Sequence, residues 1–188
     1  QLGLDNTALG FVAGFTGEEI IRNLKEYGIQ ADFIRIPAGI SRINVKMKNI
    51  DGTEINGMGP EISPDKMDQL MAQLELLSQG DVLVLAGSIP KSMPDDIYRL
   101  ILKRMESKKI MAVVDATGDL LMNVLPYHPF LIKPNNHELG ELFDVSITTR
   151  EQVVPYAKKL QERGAANVLV SMGGQGAVLV SETGEVYM

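Results

Sequence analysis

Stretches of consecutive apolar residues alternate along the chain with stretches in which apolar residues recur every three or four positions. The first pattern predicts strands and the second predicts helices. The run Val82–Ala86 is too continuously apolar to be half exposed, so we expect it to be a central strand. The other predicted strands cover residues 8–15, 110–114, 130–132 and 167–170. Strands that alternate with helices indicate an α/β fold, in which helices cover a mostly parallel sheet.

Capping signals mark where the predicted helices begin. Residues 16–19, Thr-Gly-Glu-Glu, have the spacing of a capping box and predict the start of the first helix there. Ser63 followed by Pro64 predicts the start of a second helix, because proline is favoured in the first helical turn. Thr149 and Gln152 predict a capped start for the last helix, and Pro155 should kink that helix or delay its start.

Residues 31–59 do not follow this alternation, because they consist of short segments in which β-branched and polar residues alternate. They predict a small separate sheet inserted between the first and second helices. Such an insert could be a lid over a site, an oligomer contact or an elaborated loop. We favour a lid or a contact.

Composition limits the class of protein. A chain of 188 residues with 45% hydrophobic residues can bury a substantial core, and we expect a single domain. With no cysteine and only two histidines, a disulfide framework and a structural metal site are not expected. The net charge of −6 argues against nucleic acid and anionic membranes as partners. Without a bilayer-length apolar run or a leader-like start, we expect a cytoplasmic protein.

A glycine-rich turn, SMGGQG, stands between two apolar runs in residues 169–180. Gly173, Gly174 and Gly176 remove side chains there and tolerate positive φ, so a phosphate or ribose could approach the backbone N–H groups. A tight turn between two buried strands has the same composition. By itself, the turn indicates either a nucleotide cradle or plain turn chemistry.

Polar residues gather where predicted strands end, which is where open α/β sheets bind ligands. Asn135 and Glu138 lie three apart at a helix start, so both could order a hydrated Mg²⁺ near phosphates. Arg42 is a candidate phosphate ligand in the insert, or a solvated strand residue. Ser88 and Asn135 could also be helix caps, and Asp115 could stabilise a turn. The polar residues after the four strands are Gly87, Ser88, Asp115, Thr117, Gly118, Lys133, Asn135, Glu138, Ser171 and Gly173.

Seven segments, in order, carry a family resemblance. The chain resembles the sugar kinases of the ribokinase-like phosphofructokinase B (PfkB) family, most closely its bacterial 1-phosphofructokinases, with tagatose-6-phosphate kinases as near relatives. The matching segments span nearly all of the chain and are far more specific than the glycine turn. They are ALGFVAGFTGEEI, SRINVKM, TEINGMGPEIS, VLAGSIP, VVDATG, LIKPNNHELGELF and VSMGGQGA.

The resemblance implies a doubly wound α/β fold with a mostly parallel sheet, helices on both faces and a small β-sheet lid. The chain, residues 1–188, would be one incomplete domain of this kind. Residues 31–59 would form the lid, which covers the sugar and often makes a dimer contact in this family. The resemblance therefore implies a homodimer through the lid.

The resemblance also implies roles for individual residues. Arg42 would grip the sugar phosphate, and Ser88 would line the sugar site. Asn135 and Glu138 would be the family's Asn-x-x-Glu pair, which organises Mg²⁺, through water, and the phosphates. Lys133 would add positive charge nearby. The residues that would hold the nucleotide are Ser171, Gly173, Gly174, Gln175 and Gly176.

The implied reaction transfers the γ-phosphoryl group of ATP, with Mg²⁺, to a hydroxyl of a sugar phosphate. The implied acceptor is the 6-hydroxyl of fructose 1-phosphate, which would give fructose 1,6-bisphosphate, and tagatose 6-phosphate is the alternative substrate. Positioning and charge neutralisation would supply most of the catalysis.

Two motifs of the family do not occur in these residues. One is an N-terminal strand with a substrate-binding Asp, and the other is a C-terminal Gly-Ala-Gly-Asp motif whose Asp activates the acceptor hydroxyl. The stretch 164–167 ends in Asn167, which cannot act as a base. We therefore expect this polypeptide, as it stands, to have no appreciable kinase activity.

Two other classes of protein are considered. A non-catalytic module could bind a sugar phosphate or a nucleotide in the same crevice. A nicotinamide-dependent oxidoreductase is the least favoured, because Gly10, Gly14 and Gly17 do not have the Gly-x-Gly-x-x-Gly spacing.

Overall fold

The computed structural model of the chain describes residues 3–47, 54–87 and 89–188. The α/β class predicted from the sequence is confirmed. The strands are β1 (Thr7–Ala13), β2 (Gln30–Ile36), β3 (Asn44–Lys46), β4 (Glu54–Asn56), β5 (Val82–Ala86), β6 (Met111–Asp115), β7 (Leu131–Ile132), β8 (Asn167–Ser171), β9 (Ala177–Val180) and β10 (Val186–Tyr187). The α-helices are α1 (Gly14–Glu26), α2 (Pro64–Leu74), α3 (Ile97–Met105), α4 (Gly118–Met122), α5 (Asn136–Phe143) and α6 (Arg150–Glu162).

The chain divides into two compact units. The first comprises Gln1–Leu74 and Ile89–Pro94, and the second comprises Glu75–Ser88 and Asp95–Met188. In the first unit, β1 pairs in parallel with β2, and β3 pairs antiparallel with β4. Residues 31–36 of the inserted segment thus belong to β2. The assignment of residues 31–59 as a lid or dimer contact stays a prediction.

The start of α1 differs from the prediction. The helix begins at Gly14, with Ala13 as its N-cap, so the capping box predicted at residues 16–19 is wrong. Ser41 is the reason, because its buried hydroxyl accepts from the N–H of Ala13 at 3.0 Å. The Thr16 hydroxyl donates to the carbonyl of Ser41 at 2.8 Å and does not cap the helix. A contact between residues far apart in sequence therefore sets this helix start.

The second unit contains a six-stranded sheet in the order β10, β9, β8, β7, β6, β5. The strands β5 to β8 are parallel, whereas β9 and β10 run antiparallel to their neighbours. The mostly parallel sheet predicted from the sequence is confirmed. Because four parallel strands end at the same edge of the sheet, the residues that follow them lie along that edge.

The position of β5 corrects another prediction. We expected a central strand, but in the described residues β5 lies at one edge of this sheet, opposite the edge formed by β10. It pairs with β6 along one side, and burial alternates along it. Val82 and Val84 remain 52% and 59% exposed, whereas Leu83 and Leu85 are buried. The prediction failed because an apolar run shows that both faces can be buried, and neighbouring elements decide whether they are.

The core of the second unit lies between this sheet and its helices. Val114, Ile132 and Val168 of successive parallel strands are fully buried. The helix α6 packs against β8 and β9. It begins at Arg150 after Thr149, as the capping signal predicted, and Pro155 lies inside it without delaying its start. None of the helices in the described ranges is long and apolar enough to cross a membrane.

Candidate active site

The sheet edge brings two of the predicted site segments together. Asn135 and Ser171 form an isolated parallel bridge, which continues the pairing of β7 with β8 toward their carboxyl ends. The N–H of Ser171 donates to the carbonyl of Pro134 at 3.1 Å. The start of α5 and the glycine-rich turn after β8 are therefore neighbours, although they are far apart in the sequence.

Asn135 and Glu138 form a reciprocal capping box at the start of α5. The Oδ1 atom of Asn135 accepts from the N–H groups of His137 and Glu138, both at 2.9 Å. The Oε2 atom of Glu138 accepts from the N–H of Asn135 at 2.8 Å. The alternative interpretation of Asn135, as a helix cap, is thus correct. The capping box fixes the side chains of Asn135 and Glu138 at the edge of the sheet. Both side chains are half-buried, so each still reaches solvent.

The turn after β8 is a short 3₁₀ segment, Gly173–Gln175, closed by backbone hydrogen bonds. The N–H of Met172 donates to the carbonyl of Gly176 at 2.8 Å, and the N–H of Gly176 donates to the carbonyl of Gly173 at 3.1 Å. Gly173 has φ +57° and Gly176 has φ +86°. Gly176, whose ψ is −131°, lies in a region that is essentially restricted to glycine, so the turn requires glycine there. The φ of Gly173 is close to that of Lys109, His128 and Asp144, so residues with a Cβ can adopt it.

One side of this turn faces open space. A Cβ atom added at Gly173 or Gly174 would meet no atom within 4 Å. The glycines are therefore not packed against a neighbouring element at these positions. Backbone exposed in this way is accessible to a bound phosphate or ribose.

Charged side chains stand at the carboxyl ends of β6 and β7 along the same edge. The Nζ atom of Lys133 lies 3.1 Å from Oδ1 of Asp115, and both side chains are partly exposed. An ion pair of this exposure contributes about 0–1 kcal/mol, so an incoming phosphate can compete with Asp115 for the lysine. The hydroxyl of Tyr98 donates to the carbonyl of Gly87 at 3.2 Å. Burial raises the pKa of Tyr98 above its ordinary value, and the Asp115 carboxylate raises it further.

The two predicted sugar-site residues are Arg42 and Ser88. Arg42 lies in the first unit, where it is exposed. Ser88 lies outside the described residues. Their assignment to the sugar site stays a prediction.

Two residues next to the glycine turn were not predicted from the sequence. The guanidinium of Arg150 donates to the carbonyl of Gln175, and the side-chain amide of Gln175 donates to the carbonyl of Thr148 at 3.1 Å. A capping signal marks the start of α6 in the sequence, but nothing there indicates which distant loop that start contacts. Only the fold brings residues 25 positions apart into contact.

The donors in this cluster fit a hydrated Mg²⁺ better than a directly coordinated metal. In the described ranges, His, Asp and Glu side chains form no group of three or more that could hold a metal ion. The Oε2 atom of Glu138 is engaged at the helix cap, and its second carboxylate oxygen is the atom left to meet a metal-bound water. Mg²⁺ keeps several waters and is commonly held by one or two carboxylates together with substrate phosphates.

Comparison with known proteins places the chain in a family. The model of the pfkB family of carbohydrate kinases matches residues 1–188. The 1-phosphofructokinase of Bacillus subtilis is 48% identical over 92% of this chain and 56% of its own length. The D-tagatose-1-phosphate kinase of Bacillus licheniformis is 37% identical over 95% of this chain and 59% of its own length.

A solved structure supports the same relationship. The phosphofructokinase-2 of Escherichia coli, in complex with substrates and products, superposes with a TM-score of 0.86 at 25% identity. The superposition covers all of this chain and 62% of that protein. The chain thus spans somewhat more than half the length of the relatives it matches. The match along the whole chain, together with the shared fold, shows that it belongs to the pfkB family of carbohydrate kinases.

Proposed function

We propose that this chain is the part of an ATP-dependent sugar-phosphate kinase that binds the nucleotide and part of the sugar phosphate. The complete protein would phosphorylate fructose 1-phosphate at its 6-hydroxyl to give fructose 1,6-bisphosphate. One observation carries the proposal: the bridge between Asn135 and Ser171 joins the Asn-x-x-Glu cap to an open glycine turn. Family membership and the name of the 48%-identical relative, 1-phosphofructokinase, support the choice of reaction.

In this proposal the nucleotide lies against the turn after β8. The open backbone of Gly173 and Gly174 allows close approach of ribose or phosphate, and Ser171 supplies a polar side chain beside it. Gln175 would contribute through the backbone of the turn, because its side-chain amide donates to the carbonyl of Thr148. Gly176 closes the turn through its hydrogen bond to Gly173. A turn already held in shape reduces the entropy lost when the nucleotide binds.

Asn135, Glu138 and Lys133 would act on the phosphates. The chemistry that a bound Mg²⁺ would supply here is neutralisation of the phosphate charge. Glu138 would hold a magnesium-bound water while its other carboxylate oxygen remains in the capping box. Lys133 would exchange its exposed ion pair with Asp115 for a phosphate oxygen. Because the cap fixes Asn135 and Glu138 in advance, little reorganisation is needed when charge builds up during transfer.

We assign Arg42 and Ser88 to the sugar side of the reaction. Arg42 is exposed, and its planar guanidinium can bind the 1-phosphate of the sugar in a bidentate manner. Ser88 would line the sugar site. The base that accepts the proton of the 6-hydroxyl is expected in the part of the complete protein that corresponds to the unmatched part of its relatives.

We further propose that the β3–β4 pair covers the sugar and makes a homodimer contact. Val45 of β3 and Ile55 of β4 lie opposite each other in the antiparallel register and are 46% and 58% exposed. Ile43 and Met47 beside them are also exposed. Apolar side chains grouped in this way are typical of a protein contact.

We expect the complete protein to act in the cytoplasm.

The second candidate substrate is a tagatose phosphate. The relative from Bacillus licheniformis is named for D-tagatose 1-phosphate, which carries its phosphate at the same carbon as fructose 1-phosphate. This name favours the 1-phosphate over the tagatose 6-phosphate implied by the resemblance. A non-catalytic binding module remains the alternative outside the kinases.

The experiment has two parts. The first titrates the 188-residue chain with MgATP and follows the backbone amide signals of Gly173 to Gly176 by NMR. The second measures ATP-dependent phosphorylation by a full-length protein that contains this sequence, with fructose 1-phosphate, D-tagatose 1-phosphate, tagatose 6-phosphate and fructose 6-phosphate as acceptors. We expect amide shifts in the first part and the highest kcat/KM for fructose 1-phosphate in the second.

Each contrary result has a distinct meaning. Binding without turnover in the full-length protein would identify a non-catalytic module. A preference for D-tagatose 1-phosphate would keep the mechanism and change the substrate. Turnover well above a buffer blank by the 188-residue chain itself would contradict the placement of the base outside these residues.

A further inference from the structure

The start of α6 and the glycine turn are connected by a reciprocal pair of hydrogen bonds. The guanidinium of Arg150 donates to the main-chain carbonyl of Gln175. The side-chain amide of Gln175 donates in the opposite direction, to the main-chain carbonyl of Thr148, at 3.1 Å. We refer to Thr148, Arg150 and Gln175 together as the strap.

The helix end of the strap is itself fixed. The Oε1 atom of Gln152 accepts from the N–H groups of Thr148 and Thr149, at 2.8 and 3.1 Å. The buried face of α6 includes Val153, Ala157 and Leu160, which have no exposed surface. The backbone that carries Arg150 is therefore held by both the cap and the core, and it can act as a firm support for the turn.

The turn end of the strap lies away from the open side. A Cβ atom added at Gly176 would lie 3.5 Å from Nη2 of Arg150, whereas one added at Gly173 or Gly174 would contact nothing. The guanidinium thus stands against one end of the turn and leaves the other end clear. Arg150 can support the turn without filling the space that a nucleotide needs.

The hydrogen bond from Arg150 fixes the orientation of a particular peptide plane. In a trans peptide, the carbonyl of Gln175 and the N–H of Gly176 point in opposite directions. Binding of that carbonyl by Arg150 directs the N–H of Gly176 toward the carbonyl of Gly173, which accepts it at 3.1 Å. Without this anchor, glycine at position 176 would let the plane rotate easily, because glycine tolerates both signs of φ.

We propose that Arg150 is a positioning residue for nucleotide binding, which rests on the proposed function of the glycine turn. Its hydrogen bond keeps the negative end of the Gln175 peptide away from the side where phosphates would bind. Its positive charge also raises the local potential, which favours an anionic ligand. Arg150 acts through the turn and need not touch the nucleotide.

The test compares MgATP binding by the wild-type chain with binding by Arg150→Ala, Arg150→Lys and Arg163→Ala. Arg163 is the matched control, because it lies at the far end of the same helix, where its guanidinium packs over the Phe143 ring at 5.2 Å. The dissociation constant is taken from the NMR shifts of the turn amides, and the melting temperature is recorded for each variant. Protection of the Gly176 amide from hydrogen exchange reports the state of the turn directly.

We expect Arg150→Ala to raise the dissociation constant about tenfold, because a charge-assisted hydrogen bond that orients the turn is lost. Protection of the Gly176 amide should fall in the same variant. Arg150→Lys should recover part of the affinity, because lysine keeps the charge but not the fork of donors. Arg163→Ala should bind MgATP as the wild type does.

Several results would overturn the inference. If the wild type binds MgATP and Arg150→Ala binds equally well, the positioning role is wrong while the nucleotide site stands. An equal loss of MgATP affinity in Arg163→Ala would show that the effect of Arg150→Ala comes from the change in net charge. A lower melting temperature with unchanged affinity would make Arg150 merely structural. If the wild type itself does not bind MgATP, the proposed nucleotide site fails, and the inference fails with it. Should Arg150→Ala not fold, Arg150→Gln takes its place and is judged by the same criteria.

Discussion

The two ends of the parallel sheet in the second unit differ sharply in burial, although their strands have similar sequences. Val168 and Val170 of β8 and their partners on β9 are fully buried, whereas Val82 and Val84 of β5 are more than half exposed. The helix α6 packs on β8 and β9, and one face of β5 is open to solvent. At the end that carries the glycine turn, the strands are therefore buried on both faces. At the β5 end, the described residues leave one face of the strand exposed.

This difference bears on the proposed function, because the residues proposed to bind the nucleotide belong to one of these ends. The Asn135 cap, the glycine turn and the strap lie at the buried end, where surrounding contacts hold them in shape. At the other end, the hydroxyl of Tyr98 donates to the carbonyl of Gly87. We expect nucleotide binding to depend on the well-packed end alone. The following substitutions test this comparison, beginning with the largest expected effect.

Truncation of one valine at each end tests the comparison most directly. Val170→Ala should lower the free energy of unfolding by about 2–3 kcal/mol, because it opens a cavity in a fully buried site. Val84→Ala should cost less than about 0.5 kcal/mol, because most of that side chain is already in water. Urea denaturation followed by circular dichroism measures both. Equal losses would break the comparison and would show that β5 is covered in solution, which sedimentation could trace to self-association.

Substitutions in the glycine turn separate strain from ligand access. Gly176→Ala should destabilise the protein by about 1–3 kcal/mol and weaken MgATP binding, because φ +86° is strained for alanine. Gly174→Ala should change stability by less than about 0.5 kcal/mol, since its Cβ meets no atom. It should nevertheless weaken MgATP binding, because that Cβ occupies the open side. Unchanged MgATP affinity in Gly174→Ala would rule out the open side of the turn as the nucleotide site.

Substitutions at the helix cap distinguish its structural from its chemical role. Asn135→Ala should lower stability by about 1 kcal/mol, because two N–H groups of α5 lose their acceptor. Glu138→Gln should preserve stability, since glutamine also serves in a capping box. It should make nucleotide binding less dependent on Mg²⁺, because the carboxylate charge is lost. His137→Ala, at the exposed neighbouring position, is the control and should change neither property.

A titration at high pH probes the β5 end, with the smallest expected effect. Burial first, and Asp115 second, raise the pKa of Tyr98 above its ordinary value of 10.0. The stability linked to Tyr98 is complete below about pH 10 and is lost as the pH rises further, because the unfolded chain ionises first. Tyr98→Phe should lose less stability above pH 10 than the wild type does. The measurement is the fall in melting temperature between pH 9 and pH 11, compared between the variant and the wild type. Tyr27→Phe, at an exposed position, is the control, and an equally reduced fall there would contradict the assignment to Tyr98.

Local sequence patterns were sufficient for most of the second unit. The apolar runs that became β6, β7 and β8 were recognised because a buried parallel strand needs both faces apolar. Gln152 marked the start of α6 because a capping box lies within four consecutive residues. The neighbourhood of Asn135 and Ser171 also followed from sequence, since parallel strands end at a common edge. Each of these inferences depends on a short segment or on a general rule of sheet topology.

The failures all involve partners distant in sequence. The start of α1 was misplaced because Ser41 binds Ala13 and Thr16 across the fold. The place of β5 in the sheet depends on which elements lie beside it and not on its own residues. The strap was missed because an arginine at a helix start has no sequence signal for its acceptor 25 residues away.

The sequence by itself determined the α/β class, the family resemblance, and the residue types that can meet phosphate and Mg²⁺, because these depend on local periodicity and composition. Tertiary structure alone decided that Arg150, at the start of α6, binds the carbonyl of Gln175 in the glycine turn. It also decided that one end of the sheet is buried and the other open. The physical reason is that hydrogen-bond partners and burial depend on the packing of distant segments, which no local pattern encodes.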